Sequence, residues 1–170
     1  MTDWTPEQQA EHRRELVKWL RSGDYDQTTG VLCEVLMDED DDEPSIEYCI
    51  MGLACEVSGL GEWVDYDKTE AVSMKGWAYV VGAEVSTGVL PRPVAEYYGF
   101  RTKEGEIEQP RTHITPDGRR EDYTATTTLI EMNDNGMTFD LLAHIIAAEF
   151  DGLVGDFEDV PSLIPFAEED

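Results

Sequence analysis

Apolar residues first recur at helical spacing where Leu16, Trp19 and Leu20 share one face, with Val17 at its margin. Ahead of them Thr5-Pro6-Glu7-Gln8 supplies an N-cap, a proline at the first helical position and a glutamine at the third, the signature of a capping box. A helix over about 6–22 is predicted, closed near Gly23. The β-branched and apolar run Gly30-Val31-Leu32-Cys33-Glu34-Val35-Leu36 then reads as a strand within Thr29 to Met37. Behind Ser45, the spacing of Ile46, Cys49, Ile50, Leu53 and Val57 predicts a helix over 46–58, ended by Gly59. Gly52 inside that helix costs about 1 kcal/mol relative to alanine, so another backbone element is expected to pass close by.

Trp77 to Val81 fits either a strand or the middle of a helix starting near Lys68, and Ala71, Val72 and Met74 tilt the reading to helix. Pro91 and Pro93 frame a short helix over 94–98, stopped by Gly99. Residues 101–120 are polar and read as a long loop or as a hairpin turning at Pro116-Asp117-Gly118. Tyr123 to Ile130 reads as a strand and Asn133-Asp134-Asn135-Gly136 as a turn. Thr138 then caps the clearest helix, running to about Phe150. Its stripe of Phe139, Leu142, Ala143, Ile146 and Phe150, widened by Leu141 and Ile145, implies burial on more than one side.

These elements predict an α+β fold, a single compact domain over 1–152 with several helices packed on a small, mainly antiparallel sheet. Residues 153–170 form an acidic C-terminal segment with apolar residues interspersed, docked or flexible. The 170 residues are enough to bury a core, and a hydrophobic fraction of 41% argues against global disorder. Three cysteines, an odd number, and the lack of an apolar run of membrane-spanning length point to free thiols in a reducing compartment, with no membrane contact.

Charge changes the picture most. The chain carries 38 acidic and 12 basic residues for a net charge of −26, and residues 121–170 contain no Lys or Arg at all. Such a chain repels nucleic acid, so direct nucleic-acid binding is not expected. Two acidic segments are candidates for a binding surface: Asp38, Glu39, Asp40, Asp41, Asp42 and Glu43 in one, Asp156, Glu158 and Asp159 in the other. A basic cluster runs along the first helix as Arg14, Lys18 and Arg21, with Glu7, Glu11 and Glu15 spaced for pairing, and Arg119 and Arg120 form a second basic site.

Candidate chemistry is sparse. Cys33, Cys49 and Cys55, with His12, His113 and His144, are the only soft metal ligands, and their spacing is not that of a structural zinc site. Asp38, Asp40 and Asp42 alternate as calcium ligands would, but Glu43 stands at the sixth position and Cys49 at the twelfth of such a loop. No nucleophile elbow, phosphate loop or paired-histidine motif is present, so no catalytic residue, metal or cofactor is assigned and a non-enzymatic role is favoured.

Three segments together resemble a group of small uncharacterised proteins encoded by bacteriophages and prophages, especially of actinobacteria: Leu20-Arg21-Ser22-Gly23 with Thr29-Gly30-Val31-Leu32, Tyr48-Cys49-Ile50-Met51-Gly52-Leu53-Ala54-Cys55, and Leu129-Ile130-Glu131-Met132-Asn133-Asp134. This chain has Ile50 where the resemblance leads one to expect a second Cys beside Cys49. The resemblance implies a setting in the cytoplasm of a bacterial host and an accessory role in the contest between phage and host, with no activity to transfer. Two readings of function follow. In the first, the acidic surface binds and inhibits a basic host protein, with the charge of nucleic acid as the thing imitated. In the second, Arg14, Lys18 and Arg21, or Arg119 and Arg120, hold the phosphates of a small nucleotide-like ligand that the protein sequesters. A small hydrolase is the third.

Overall fold

The computed structural model describes residues 3–36, 44–65, 77–114 and 119–151, with the backbone alone for 109–114, 121–123 and 151. Helix α1 (Pro6–Leu20) opens with the reciprocal capping box: Gln8 N donates to Thr5 Oγ1, and Thr5 N donates to Gln8 Oε1 at 2.9 Å. Two short strands and a third build the first sheet: β1 (Asp26–Gln27), β2 (Cys33–Leu36) and β3 (Ser45–Tyr48), in the order β1-β3-β2. Strand β1 runs parallel to β3, and β2 antiparallel to it with Cys33 opposite Tyr48. Helix α2 (Ile50–Ser58) leads to an antiparallel second sheet of β4 (Glu62–Asp65), β5 (Trp77–Val81) and β6 (Glu84–Ser86). Helix α3 (Arg92–Tyr98) ends at Gly99, whose φ of +70° is the left-handed stop that favours glycine. The antiparallel hairpin β7 (Glu106–Ile114) and β8 (Arg120–Thr128) precedes α4 (Leu129–Asp134) and α5 (Phe139–Asp151). The protein is thus α+β, with helices packed against small, mainly antiparallel sheets.

Helix α2 is the centre of the core, since Ile50 through Cys55 are buried without interruption. A helix covered on all sides is one that other elements surround. Helix α1 lays Leu16 and Leu20 into this core, and α5 adds Leu142, Ala143 and Ile146, all buried. Gly52 is where the expected close approach occurs: a methyl group there would lie 1.6 Å from the carbonyl oxygen of Leu32. That same carbonyl accepts a hydrogen bond from Cys49 N at 3.1 Å, which fastens the start of α2 to the residue before β2.

Several local expectations change. The helix predicted over 46–58 is strand β3 followed by α2, because Ser45 to Tyr48 pair with β2 and the chain turns helical only behind Cys49. Cys49, not Ser45, is the N-cap, its sulfur accepting from Gly52 N at 3.4 Å. Of the strand expected within 29–37, residues 33–36 form β2, and residue 37 lies outside the described residues. Trp77 to Val81 are a strand rather than part of a helix, since Tyr79 pairs with Trp63 and Gly82 turns the chain back with φ +61°. The polar stretch 101–120 resolves as the hairpin rather than the loop; its expected turn at 116–118 lies outside the described residues. Residues 129–134, expected to finish a strand and begin a turn, are α4, capped by Thr128 Oγ1 accepting from Glu131 N.

Candidate functional site

Strands β1, β3 and β2 align three acids side by side. Asp26 is the register partner of Glu47, and Glu47 is the partner of Glu34. Register partners on neighbouring strands point to the same face about 5 Å apart, and this face is opposite to the one on which Cys33 and Tyr48 are buried. Asp26 and Glu34 are exposed and Glu47 is half-buried. Glu34 Oε2 accepts a hydrogen bond from the Thr28 hydroxyl at 3.2 Å. Among the described residues no Lys, Arg or His forms an ion pair with any of the three, and no three His, Cys, Asp or Glu side chains converge closely enough to hold a metal ion. The row is therefore an open negative face, not a chelating site.

Of the acids singled out by sequence, Asp38 to Glu43 fall between β2 and β3 in the chain, outside the described residues, as do Asp156, Glu158 and Asp159. The row Asp26, Glu47 and Glu34 was not singled out in the sequence. Its signal was faint, because Glu47 falls in a segment that reads as helix and only strand pairing places it beside the other two.

The basic residues are not gathered into one site. Arg14 and Lys18 line an open cleft of about 600 Å³ between α1 and α3, together with Glu11, His12, Glu15 and Tyr97. His12 stacks on Tyr97 at 3.6 Å and its Nδ1 lies 2.8 Å from the Tyr97 carbonyl oxygen, so each ring covers a face of the other. Lys18 donates to Glu15 Oε1 at 3.1 Å and also sits 5.4 Å from the Trp19 ring centroid. Arg21, at the end of α1, reaches Asp140 at 3.7 Å and His144 at 3.1 Å on α5. Arg119 and Arg120 stand at the far end of β8, whose nine residues place roughly 26 Å of strand between Arg120 and α4. Arg13, next to Arg14 in the chain, turns inward: it is buried, donates to the Tyr98 carbonyl at 2.5 Å and covers the Phe150 ring. A guanidinium on the last carbonyls of α3 satisfies a helix end.

Cys33, Cys49 and Cys55 are buried and free. Burial, with Glu56 second, pushes the Cys33 thiol up to about 12, and burial pushes Cys49 up to about 11 against hydrogen bonds that lower it. Such thiols are poor nucleophiles at neutral pH.

Gly30, Ile50, Asn133 and Asp134, drawn from the three segments that carried the resemblance, meet in space, and Asn133 is fully buried. Its Oδ1 accepts from Gln27 Nε2 at 2.8 Å and from Ile50 N at the start of α2, and its Nδ2 donates to the Thr28 carbonyl at 2.9 Å. Asp134 accepts from Gly30 N at 2.9 Å, and Gln27 Oε1 accepts from Phe139 N at the start of α5. Every polar atom of the Asn133 side chain is engaged by the chain's own backbone and side chains, so this cluster locks sheet, α2, α4 and α5 together and leaves nothing for a ligand.

Among the described residues no helix is long and apolar enough to cross a membrane. A family model described as a domain of unknown function, DUF8296, matches residues 9–150. No curated protein and no solved structure matches the chain.

Proposed function

This chain belongs to the DUF8296 family, a domain of unknown function, and from its own surface we propose that it is a non-enzymatic acidic protein that binds and inhibits a basic protein of a bacterial host. The observation that carries this reading is the in-register row Asp26, Glu47 and Glu34. Like charges directly opposite on adjacent strands destabilise a sheet, so an unneutralised row is a cost without a benefit inside the molecule. Spaced at about 5 Å, it presents negative charge at a density close to that of a nucleic-acid strand, about one per 3.4 Å. The bases support the same reading: Lys18, Arg21, Arg92, Arg101 and Lys103 each hold an acid of the same chain, so the described cations are engaged internally while acids remain in excess. A phage-encoded counter-defence role in the host cytoplasm fits this chemistry.

The small-ligand reading draws on the α1 cleft, where Arg14 and Lys18 flank Tyr97. It ranks second because Glu11 and Glu15 bring equal negative charge to the same wall, which repels a polyanionic ligand.

The test is capture of partners from host lysate at low and high salt with wild type, with Asp26→Asn/Glu34→Gln/Glu47→Gln, and with Arg14→Ala/Lys18→Ala/Arg21→Ala. Surface attraction is screened over about 8 Å at physiological ionic strength and acts chiefly on the association rate. Binding to a basic protein is expected to fall steeply with salt and with the acidic triple substitution, and to survive the basic one. Loss of binding with the basic triple alone, together with a nucleotide released on denaturation, would replace this reading with the second.

A further inference from the structure

The hairpin of β7 and β8 is a sheet of two strands, and neither pairs with any other described strand. Each strand is nine residues long. Ile107 and Thr127, near the base where β8 runs into α4, are buried, while Glu108, Thr124 and Thr126 are exposed. A two-stranded ribbon by itself is marginally stable in water, and each outer edge presents a row of N–H and C=O groups able to pair with another strand.

Which groups face outward follows from two observations. Leu129 N donates to Gly105 O at 3.0 Å, one step below the register pair of Thr128 with Glu106, and along an antiparallel ladder inward and outward groups alternate. The odd residues of β8 therefore bond to β7, and Arg120, Asp122, Thr124, Thr126 and Thr128 turn their N–H and C=O outward. Pro110, which has no N–H to give, stands opposite Thr124 at an outward position of β7, as the same alternation requires. The two edges differ. On β7, Pro110 interrupts the row and the Glu106 N–H is taken by the Thr102 hydroxyl at 3.2 Å, two devices that blunt an edge. Strand β8 has no proline, and its outward row runs mostly through β-branched threonines, which suit a strand.

From this asymmetry we infer that the open edge of β8 pairs with the same edge of a second copy of this chain, antiparallel about Thr124, to give a four-stranded sheet. The sequence of β8 is self-complementary in that register. Thr124 meets Thr124, Asp122 meets Thr126, Arg120 meets Thr128 and Glu121 meets Thr127, so no two like charges face each other. Each pair of outward residues exchanges two hydrogen bonds. The antiparallel arrangement also sets the basic tip of one copy, Arg119 and Arg120, beside the base of the other, where Glu131 accepts from the Thr127 hydroxyl at 3.0 Å. This hairpin is also where so acidic a chain tolerates a copy of itself, since residues 106–128 hold five acids and three bases, a net −2 of the total −26. The two bodies lie at opposite ends of roughly 26 Å of strand, beyond the ~8 Å over which exposed charges act at physiological ionic strength. The assembly is independent of the inhibitory role proposed above.

Sedimentation velocity of the full-length chain over a concentration series, at physiological ionic strength, is expected to show a monomer–dimer equilibrium. Amide exchange at Asp122, Thr124 and Thr126 should slow as the dimer fills. Thr124→Pro removes an outward N–H without touching a bond to β7 and should weaken dimerisation about tenfold or more, with circular dichroism unchanged. Thr124→Asp and Thr124→Lys each set like charges face to face across the two copies, with only Pro110 opposite them inside the hairpin, and should weaken self-association about fivefold. Mixing the two variants should restore it, an outcome that no folding defect produces. A chain that stays monomeric at every concentration, or a Thr124→Pro variant that dimerises as wild type does, overturns the pairing. Slow exchange at the three amides that does not vary with concentration also overturns it, because the edge is then covered by the chain's own residues. Dimerisation strengthened in Thr124→Lys alone places Thr124 opposite Asp122 and overturns the register about Thr124.

Discussion

Replacing Gly52 by alanine sets two effects of opposite sign against each other. In an exposed helix the change gains about 1 kcal/mol, because glycine loses more backbone freedom on folding. Here the new methyl group would meet the Leu32 carbonyl oxygen at 1.6 Å and its carbon at 2.6 Å. Both are backbone atoms, so no side chain can swing away, and α2 must separate from the segment before β2. Separation weakens the bond from Cys49 N to Leu32 O and opens gaps along the buried run Ile50 to Cys55. Overpacking typically costs about 1 to 3 kcal/mol and an abandoned buried hydrogen bond about 1 to 3. After the helical gain is subtracted, a net loss of about 3 kcal/mol is expected, a large share of the stability of a domain this size. Urea unfolding followed by circular dichroism measures it, with Gly88→Ala as the control: nothing lies within 4 Å of a methyl group there, and the change should stay within about 0.5 kcal/mol. A Gly52→Ala protein as stable as wild type would refute the close approach and with it the placement of α2 against Leu32.

Ile146→Ala removes a fully buried side chain of α5 and should cost about 2 to 5 kcal/mol in the same unfolding assay; a change under about 0.5 kcal/mol would mean the helix is not part of the core. Asn133→Ala strips partners from Gln27 Nε2, Ile50 N and the Thr28 carbonyl at once, so a loss of about 3 kcal/mol or more is expected, and a near-neutral result would show that the cluster does not join the elements. The cysteines should react slowly with thiol reagents until denaturant is added, and rapid stoichiometric labelling of the native protein would contradict their burial. Their raised titrations also fix a pH dependence: the folded state holds these protons more tightly than the unfolded chain, so the thiol contribution is fully present below the ordinary value of 9.0 and is lost as pH rises through about 11 and about 12. Replacing Cys33 and Cys49 by alanine should flatten the alkaline limb of a stability profile between those limits, and an unaltered limb would assign it to other groups.

Helix α1 was legible because its start is specified by four consecutive residues, Thr5 to Gln8, and α5 because thirteen residues repeat one apolar stripe; both rest on contacts between near neighbours in the chain. Gly52 was legible for a related reason, since a glycine in an otherwise apolar helix has little use except to admit another backbone, although nothing in the sequence named Leu32 as that backbone. The segment 45–48 was not legible. Ile46, Cys49, Ile50 and Leu53 satisfy a helical period as well as a strand followed by a helix, and the choice falls to hydrogen bonds with β2 across a chain segment of eight residues. The same holds for Trp77 to Val81, where pairing of Tyr79 with Trp63 outweighs the helical tendency of the alanine and methionine before it. The candidate site divides in the same way. Excess negative charge is a property of composition and was plain from the sequence. Which acids stand together was not, because Asp26 meets Glu47 only through a parallel pairing of β1 with β3. Local periodicity encodes which face of an element is apolar; it carries no information about which distant element that face will meet, and only the packed chain decides that.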